Sequence, residues 1–542
     1  MPHRTQFLLA LALGTSLTAQ APPGWDVQRP LGHGQASPNS WTGEIYPWFA
    51  GGIWSADKHG PPATLVDSVG MGNALTGSGF HLETGVKWVD FDLAAEILGV
   101  KDPAGADYLT LYRGHATWGT EDGDSWMAGL ELEPLVWGYG LNGGYLLGDA
   151  GRPFPRIRVV SPMAALEPFN IPLGTWGFQI FAGRLENHRQ LSASIQNPLS
   201  QQQLVYAEGD PQSPLLNGYR IQATFSDYME FYANYLNLWG GTRNGVSMLA
   251  GYRTRDYLTA MFGAKDVLAQ QYISSNQTYN GPDVQYTNLA RSSSNADVGF
   301  RIRIRPVERW LGAESVYAYF SRGSKSMDWS VGLLKDHPAT YIWKDIDQEF
   351  THVAQGRVTG IYNETGRYTS PNLSSPNDTA GVLLAWPRLR LGLEYLDAVN
   401  NPQSSAVRPF QNSLYPTGFY TYGVPLGNAI GGEARTTTLR LEVEINRNLS
   451  GTTIVHRGES PFRDALALWQ AAYGDRSPDL DHFTGLQQTL KWRMSRAAAL
   501  EAGASWERHS AVANIPGDTK NGFQWYTDLT FQFPPPKDRS SR

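Results

Sequence analysis

The chain contains no cysteine. That removes disulfides, thiolate zinc sites and cysteine nucleophiles from its chemistry. Charge is scarce too: 17 % of the 542 residues are charged, against about 25 % in an ordinary soluble protein, which argues against long solvated helices and coiled coils. With 44 Lys and Arg against 50 Asp and Glu the formal charge is −6, so the cationic surface that sequence-independent nucleic-acid binding needs is missing. Long apolar runs are missing as well. The stretch from Phe7 to Leu17 is too short to span a bilayer as a helix. The longest later uncharged run, Pro409 to Gly432, is broken by Pro416, Gly418, Gly423, Pro425 and Gly427. The eleven histidines show no His-x-x-x-His or His-Glu-x-x-His spacing, and neither a Gly-x-Ser-x-Gly elbow nor a phosphate-cradling glycine-lysine loop occurs. No metal, no cofactor and no enzymatic activity is expected.

What is plentiful is glycine, proline and aromatics: 57 Gly, 34 Pro, 18 Trp, 26 Tyr and 21 Phe. Trp and Tyr settle where an apolar phase meets water, which points to an interface with lipid or sugar. Residues 1–21 read as an export signal, with His3 and Arg4 before the apolar stretch and Ala19-Gln20-Ala21 as the small-x-small cleavage pattern. Residues 22–42 then form a short periplasmic segment, 43–533 a barrel, and 534–542 a polar tail.

The body of the chain alternates with period two, the mark of strands with one apolar and one polar face. Phe80, Leu82, Thr84, Val86 and Trp88 form one such row, and Phe91, Leu93, Ala95 and Ile97 the next. Val382, Leu384 and Trp386 turn at Pro387-Arg388 into Leu389, Leu391, Leu393 and Tyr395. Leu439, Leu441, Val443 and Ile445 turn at Asn446-Arg447-Asn448 into a further strand. Short connections near Trp88, Ser226, Arg255, Val307, Pro387, Arg447 and Ser495 interleave with long polar ones. Outer-membrane barrels behave this way, with short periplasmic turns and long external loops. The fold expected is therefore all-β: a transmembrane antiparallel β-barrel with 18–22 crossings by pattern, 22 if the weak pieces Arg156–Val160 and Asp328–Leu333 are counted. Its place is the cell outer membrane, as a monomeric barrel in contact with outer-membrane lipid. One external loop should hold a short helix from Ser460 to Gly474, with Phe462, Leu466, Trp469 and Tyr473 on one face, either capping the barrel mouth or meeting a partner.

Three blocks carry a resemblance. Trp137-Gly-Tyr-Gly-Leu-Asn-Gly-Gly-Tyr-Leu-Leu-Gly-Asp-Ala-Gly-Arg-Pro-Phe-Pro-Arg156, Phe178-Gln-Ile-Phe-Ala-Gly-Arg-Leu-Glu-Asn-His-Arg189 and Tyr415-Pro-Thr-Gly-Phe-Tyr-Thr-Tyr-Gly-Val-Pro-Leu-Gly-Asn-Ala-Ile-Gly-Gly-Glu433 resemble the capsule-assembly outer-membrane family of the Wzi type. The resemblance implies 18 strands and a lectin-like role, holding exported capsular polysaccharide at the cell surface. The helical bundle that precedes the barrel in that family has no counterpart in the Pro- and Gly-rich stretch from Pro22 to Ser40.

Candidate glycan-binding residues are Trp137, Tyr139, Asn142, Tyr145, Arg152, Tyr415, Phe419, Tyr420, Tyr422 and Asn428, because an aromatic face beside polar groups suits a pyranose. Packing within the loops is the alternative, and the glycines of the first block equally suit a loop folded into the lumen. Glu186, Arg189 and Glu433 read as structural members of the motif. Arg301, Arg303 and Arg305 lie on the row opposite Val298, Phe300, Ile302 and Ile304, giving an inward basic ladder. It either attracts anions or is neutralised by inward carboxylates such as Glu442, Glu444, Glu131 or Glu133. The function expected is non-enzymatic binding of surface polysaccharide, with recognition at the external rim. A passive, mildly anion-selective porin is the alternative.

Overall fold

The computed structural model describes residues 45–56, 77–88, 90–101, 107–119, 125–141, 143–148, 153–167, 173–187, 212–225, 228–243, 246–247, 257, 261, 292–325, 377–397, 419–421, 424–427, 435–460, 479–495, 497–511 and 516–532. The period-two segments form strands β1 Ile45–Ala56, β2 Gly77–Trp88, β3 Phe91–Lys101, β4 Asp107–Trp118, β5 Met127–Leu132, β6 Arg156–Val160, β7 Ala164–Leu166, β8 Gly174–Arg184, β9 Leu215–Phe225 and β10 Met229–Trp239. A small hairpin follows, β11 Thr242–Arg243 with β12 Val246–Ser247, then β13 Ser292–Arg303, helix α1 Arg305–Leu311, β14 Ser315–Lys325, β15 Asn377–Trp386 and β16 Leu389–Asp397. A second small hairpin, β17 Tyr420–Thr421 with β18 Val424–Pro425, precedes β19 Arg435–Asn446, β20 Leu449–Ser460, β21 Asp481–Arg493, β22 Ala498–Ser510 and β23 Thr519–Gln532.

Each large strand pairs antiparallel with its neighbour in the chain, and β1 pairs with β23, so the sheet closes on itself and has no free edge. β6 and β7 are two halves of one rung, both paired with β8. Pro162 between them has no amide to give the ladder, and the break is bridged by Ser161, whose amide donates to the Phe178 carbonyl at 2.9 Å and whose hydroxyl accepts the Phe178 amide at 2.8 Å. With that rung counted once, the barrel has 18 strands. The upper figure of 22 is corrected by pairing: β10 meets β13 directly, and β14 meets β15, so no crossings are inserted between them. The short connection expected near Arg255 and the weak crossing Asp328–Leu333 lie outside the described residues, as do the export signal, the segment 22–42, the helix expected after Ser460 and the tail.

The outward face is apolar in the way a lipid-facing wall requires. Leu82, Leu93, Ile97, Leu109, Leu111, Leu130, Ile157, Ile221 and Leu490 are all exposed there. Aromatics mark both margins. Trp88, Phe91, Trp118, Trp126, Trp176 and Trp492 lie at the end with the short turns, and Phe80, Tyr395, Trp506 and Phe523 toward the end with the long loops. From Phe80 to Trp88 the strand runs about 26 Å at ~3.3 Å per residue, which at a strand tilt of about 40° covers roughly 20 Å of an outer-membrane apolar band about 25 Å tall. The connection near Val307 is α1, with Pro306 in its first turn and Gly312 at φ 60° ending it.

Candidate functional site

The loop after β5 turns back into the lumen. Its neck is held by Arg156, whose Nε donates to Glu131 Oε2 at 3.0 Å and whose Nη1 donates to the Glu133 carbonyl at 2.6 Å; Arg158 grips the same Glu131 carboxylate at 2.8–3.0 Å. Within the loop the amides of Trp137 and Gly144 both donate to the Leu147 carbonyl, at 3.2 and 3.1 Å. The loop then locks to the segment around the β17–β18 hairpin. Gly148 N–H donates to the Leu426 carbonyl at 2.7 Å. A Cβ on Gly427 would stand 1.9 Å from the Tyr145 carbonyl oxygen, and one on Gly144 equally close to that of Trp137. Both positions therefore have to be glycine.

The three blocks that are far apart in sequence meet here. Trp137, Tyr145, Leu146, Leu147 and Phe154 of the first, Phe181 and Leu185 of the second, and Phe419 and Leu426 of the third share one buried cluster with Leu216, Leu236 and Leu238 of the wall. Thr421 Oγ1 donates to Glu186 Oε2 at 3.2 Å, joining the third block to the second. On the wall, Trp137 Nε1 donates to Gln179 Oε1 at 3.1 Å and Asn234 Nδ2 to the Trp137 carbonyl at 3.4 Å. Glu394 of β16 accepts the Leu141 amide and the Tyr319 hydroxyl, each at 2.6 Å. The Tyr145 ring occupies the space beside Gly323 of β14. The folded-in segments thus form a plug docked against the inner face from β8 to β16.

This placement corrects part of the rim expectation. Trp137, Tyr145 and Phe419 are 1 %, 4 % and 1 % exposed, so their rings are core of the plug and present no open face to a sugar. Tyr139 is half-buried, 5.0 Å from the Tyr232 ring and 4.8 Å from the Arg301 guanidinium. Burial, reinforced by the nearby Glu230 carboxylate, raises the pKa of its phenol, so it stays neutral. Tyr420 is placed by its backbone alone, in β17. Asn142, Arg152, Tyr415, Tyr422, Asn428, Arg189 and Glu433 lie outside the described residues.

The arginine ladder is also corrected. Arg301 is buried, and its Nη2 donates to both carboxylate oxygens of Glu230, at 2.7 and 2.6 Å. Arg303 pairs with Glu308 of α1 at 2.7 Å. Arg305 opens α1 instead of continuing the strand, and its guanidinium lies 4.3 Å from the centre of the Tyr228 ring. The neutralising acids are thus Glu230 and Glu308, whereas Glu131 serves Arg156 and Arg158 and Glu442 serves Arg390 and Arg440. Glu394 and Thr421 were not singled out by sequence. Glu394 did carry a signal, since the outward row Leu389, Leu391, Leu393 and Tyr395 turns it inward.

No protein-family model matches the sequence, and no curated protein matches it. By structure it is similar to Wzi of Escherichia coli, an outer-membrane protein involved in group 1 capsule assembly and described as a carbohydrate-binding β-barrel, with TM-score 0.54, 14 % identity, and coverage of 89 % of this chain and 83 % of that one. OccK5 (OpdH) of Pseudomonas aeruginosa gives TM-score 0.40 at 10 % identity, covering 90 % of this chain and 98 % of that one. OprD of Pseudomonas aeruginosa gives 0.39 at 8 %, covering 92 % and 99 %. The closed sheet, with the likeness to Wzi, places the fold in the class of 18-stranded β-barrels of the outer-membrane type. At such identities the likeness extends to fold alone.

Proposed function

We propose that this protein is a non-enzymatic outer-membrane barrel that binds surface polysaccharide and tethers it or helps assemble it. The observation that carries this reading is the plug. Residues 135–141, 143–148, 419–421 and 424–427 are fixed by buried hydrogen bonds and an apolar core shared with the wall, an arrangement suited to a platform and costly for a conduit. The three blocks that compose it are those resembling the Wzi-type family, whose structural relative Wzi is a carbohydrate-binding barrel. The porin alternative rested on free arginines, and Arg301 and Arg303 are each held by a carboxylate.

Recognition is assigned to the remaining candidates of the same blocks, with Tyr415, Tyr420 and Tyr422 as the aromatic ones and Arg152, Asn142 and Asn428 as the polar ones. Many weak contacts along one polymer would supply the affinity. The test joins planar-bilayer recording to retention of the producing cell's own polysaccharide. The wild type should conduct little and retain glycan, and the triple Ala variant at Tyr415, Tyr420 and Tyr422 should lose retention while still showing heat-modifiable migration. Large steady conductance with no glycan retained would replace this reading by the porin.

A further inference from the structure

The inner wall away from the plug carries a second group of side chains with a different chemistry. His81 and Glu83 of β2 and Glu96 of β3 all point inward, and His81 and Glu96 are fully buried, with Glu83 at 9 % exposure. Arg113 of β4 donates from Nε to Glu96 Oε2 and from Nη2 to Glu83 Oε1 at 3.0 Å. It leaves Glu96 Oε1 untouched. That oxygen and both ring nitrogens of His81 have no hydrogen-bond partner, although all three are shut away from water. A buried polar atom without a partner costs free energy, and here three of them sit in one group. His81 Nδ1 is 3.4 Å from Glu96 Oε1 and 3.8 Å from Glu83 Oε1. These separations are too long for good hydrogen bonds. They are what three ligands around one ion require, since metal–ligand bonds of about 2.0–2.2 Å place neighbouring donor atoms roughly 3–4 Å apart.

We propose that His81, Glu83 and Glu96 form a binding site for one divalent transition-metal ion. One imidazole nitrogen and two carboxylate oxygens form a borderline donor set that suits zinc better than calcium or magnesium, which favour oxygen alone. Charge agrees: among the described residues of the cluster two carboxylates face the single guanidinium of Arg113. Arg113 is then the outer support that fixes the carboxylates, as is usual around metal sites. The backbone also makes room. Gly52 of β1 stands in register with His81 on one side and with Asp528 of β23 on the other, and a Cβ there would lie 2.7 Å from His81 Nε2. The site lies one strand from the β1–β23 closure and would tie β2 to β3 beside that seam.

The experiment uses zinc as the probe. The full-length protein is stripped with chelator, refolded in detergent with or without Zn²⁺, passed through gel filtration and analysed for metal by mass spectrometry, with heat-modifiable migration as the check of folding. The wild type should retain one equivalent more than His81→Phe and Glu96→Gln, and Zn²⁺ should raise its Tm but not theirs. The apparent affinity should fall at least tenfold in Glu96→Gln, which nearly preserves shape and carries the test should His81→Phe fail to assemble. Replacing the half-exposed His482 by Ala should change nothing. Equal zinc in wild type and Glu96→Gln, or none in the wild type, overturns the proposal. A wild type that binds no zinc and loses stability as pH rises through the imidazole range would identify a protonated His81 paired with Glu96, and would overturn it too.

Discussion

Removing the Glu394 carboxylate should open the barrel. Glu394 is 1 % exposed and accepts two hydrogen bonds of 2.6 Å, one from the Leu141 amide in the plug and one from the Tyr319 hydroxyl in β14. Hydrogen bonds to a charged group contribute about 1.5–3 kcal/mol each, and a buried donor left alone costs a similar amount. Only the bond to Leu141 holds plug to wall directly, while the bond to Tyr319 orients the carboxylate that makes it. In Glu394→Ala the loss of plug docking should therefore fall near 3 kcal/mol, reduced wherever lumen water reaches the freed amide. At about 1.4 kcal/mol per factor of ten, the ratio of undocked to docked plug rises roughly a hundredfold. Glu394→Gln, whose amide oxygen still accepts, should give an intermediate rise. Single-barrel recordings in planar bilayers read this ratio as the frequency and duration of open events, and heat-modifiable migration confirms that the variant is folded. A folded Glu394→Ala barrel whose open events match the wild type within a factor of two would sink the idea that this carboxylate holds the plug.

Two further outcomes follow from the wall. Leu130, 61 % exposed on the outward face, should tolerate no cation: Leu130→Arg should cost about 2–4 kcal/mol if it sits at the bilayer midplane, read by refolding into lipid vesicles, and an unchanged denaturant midpoint would contradict the lipid-facing assignment. At the short-turn end, burial raises the Glu308 pKa, but the hydrogen bond and charge of Arg303 together with the Val316 amide outweigh it, so the net shift is downward. A lowered carboxylate pKa adds stability that is complete above the ordinary carboxylate range and disappears as pH falls through the folded value. Glu308→Gln should thus be less stable than the wild type at neutral pH and equal to it in strong acid, and a gap that persists in acid would show that charge is not what Glu308 contributes.

The barrel was legible because lipid on one side and a packed lumen on the other impose a two-residue period that little else in a sequence imitates. Phe80, Leu82 and Trp88 are exposed outward as their row requires, and the turns at Pro387-Arg388 and Arg447-Asn448 fall where the rows change direction. The strand count was less legible. Short alternations also occur in polar loops, and only pairing decides which enter the sheet: the register of β10 with β13 runs from Met229 with Ile302 to Trp239 with Ser292 and leaves no place for an inserted strand. Pairing across such distances leaves no local mark.

The site was harder to read for a related reason. A loop has no period, so nothing in the Trp137 block says whether it rises from the rim or folds inward, and the same Trp and Tyr suit a sugar platform or a plug core. Contact with Glu394 decides it, and that contact joins Leu141 to a residue 253 positions away. The hairpin of β2 and β3 is the opposite case. Its turn pairs Trp88 with Phe91, and counting back along both strands sets Glu83 directly against Glu96, two inward acids face to face where like charges repel. Such a pair in a barrel wall demands a cation. Arg113 on the next strand meets part of that demand, and because it engages only one oxygen of Glu96, the remaining oxygen and the His81 ring define where a second cation would be held.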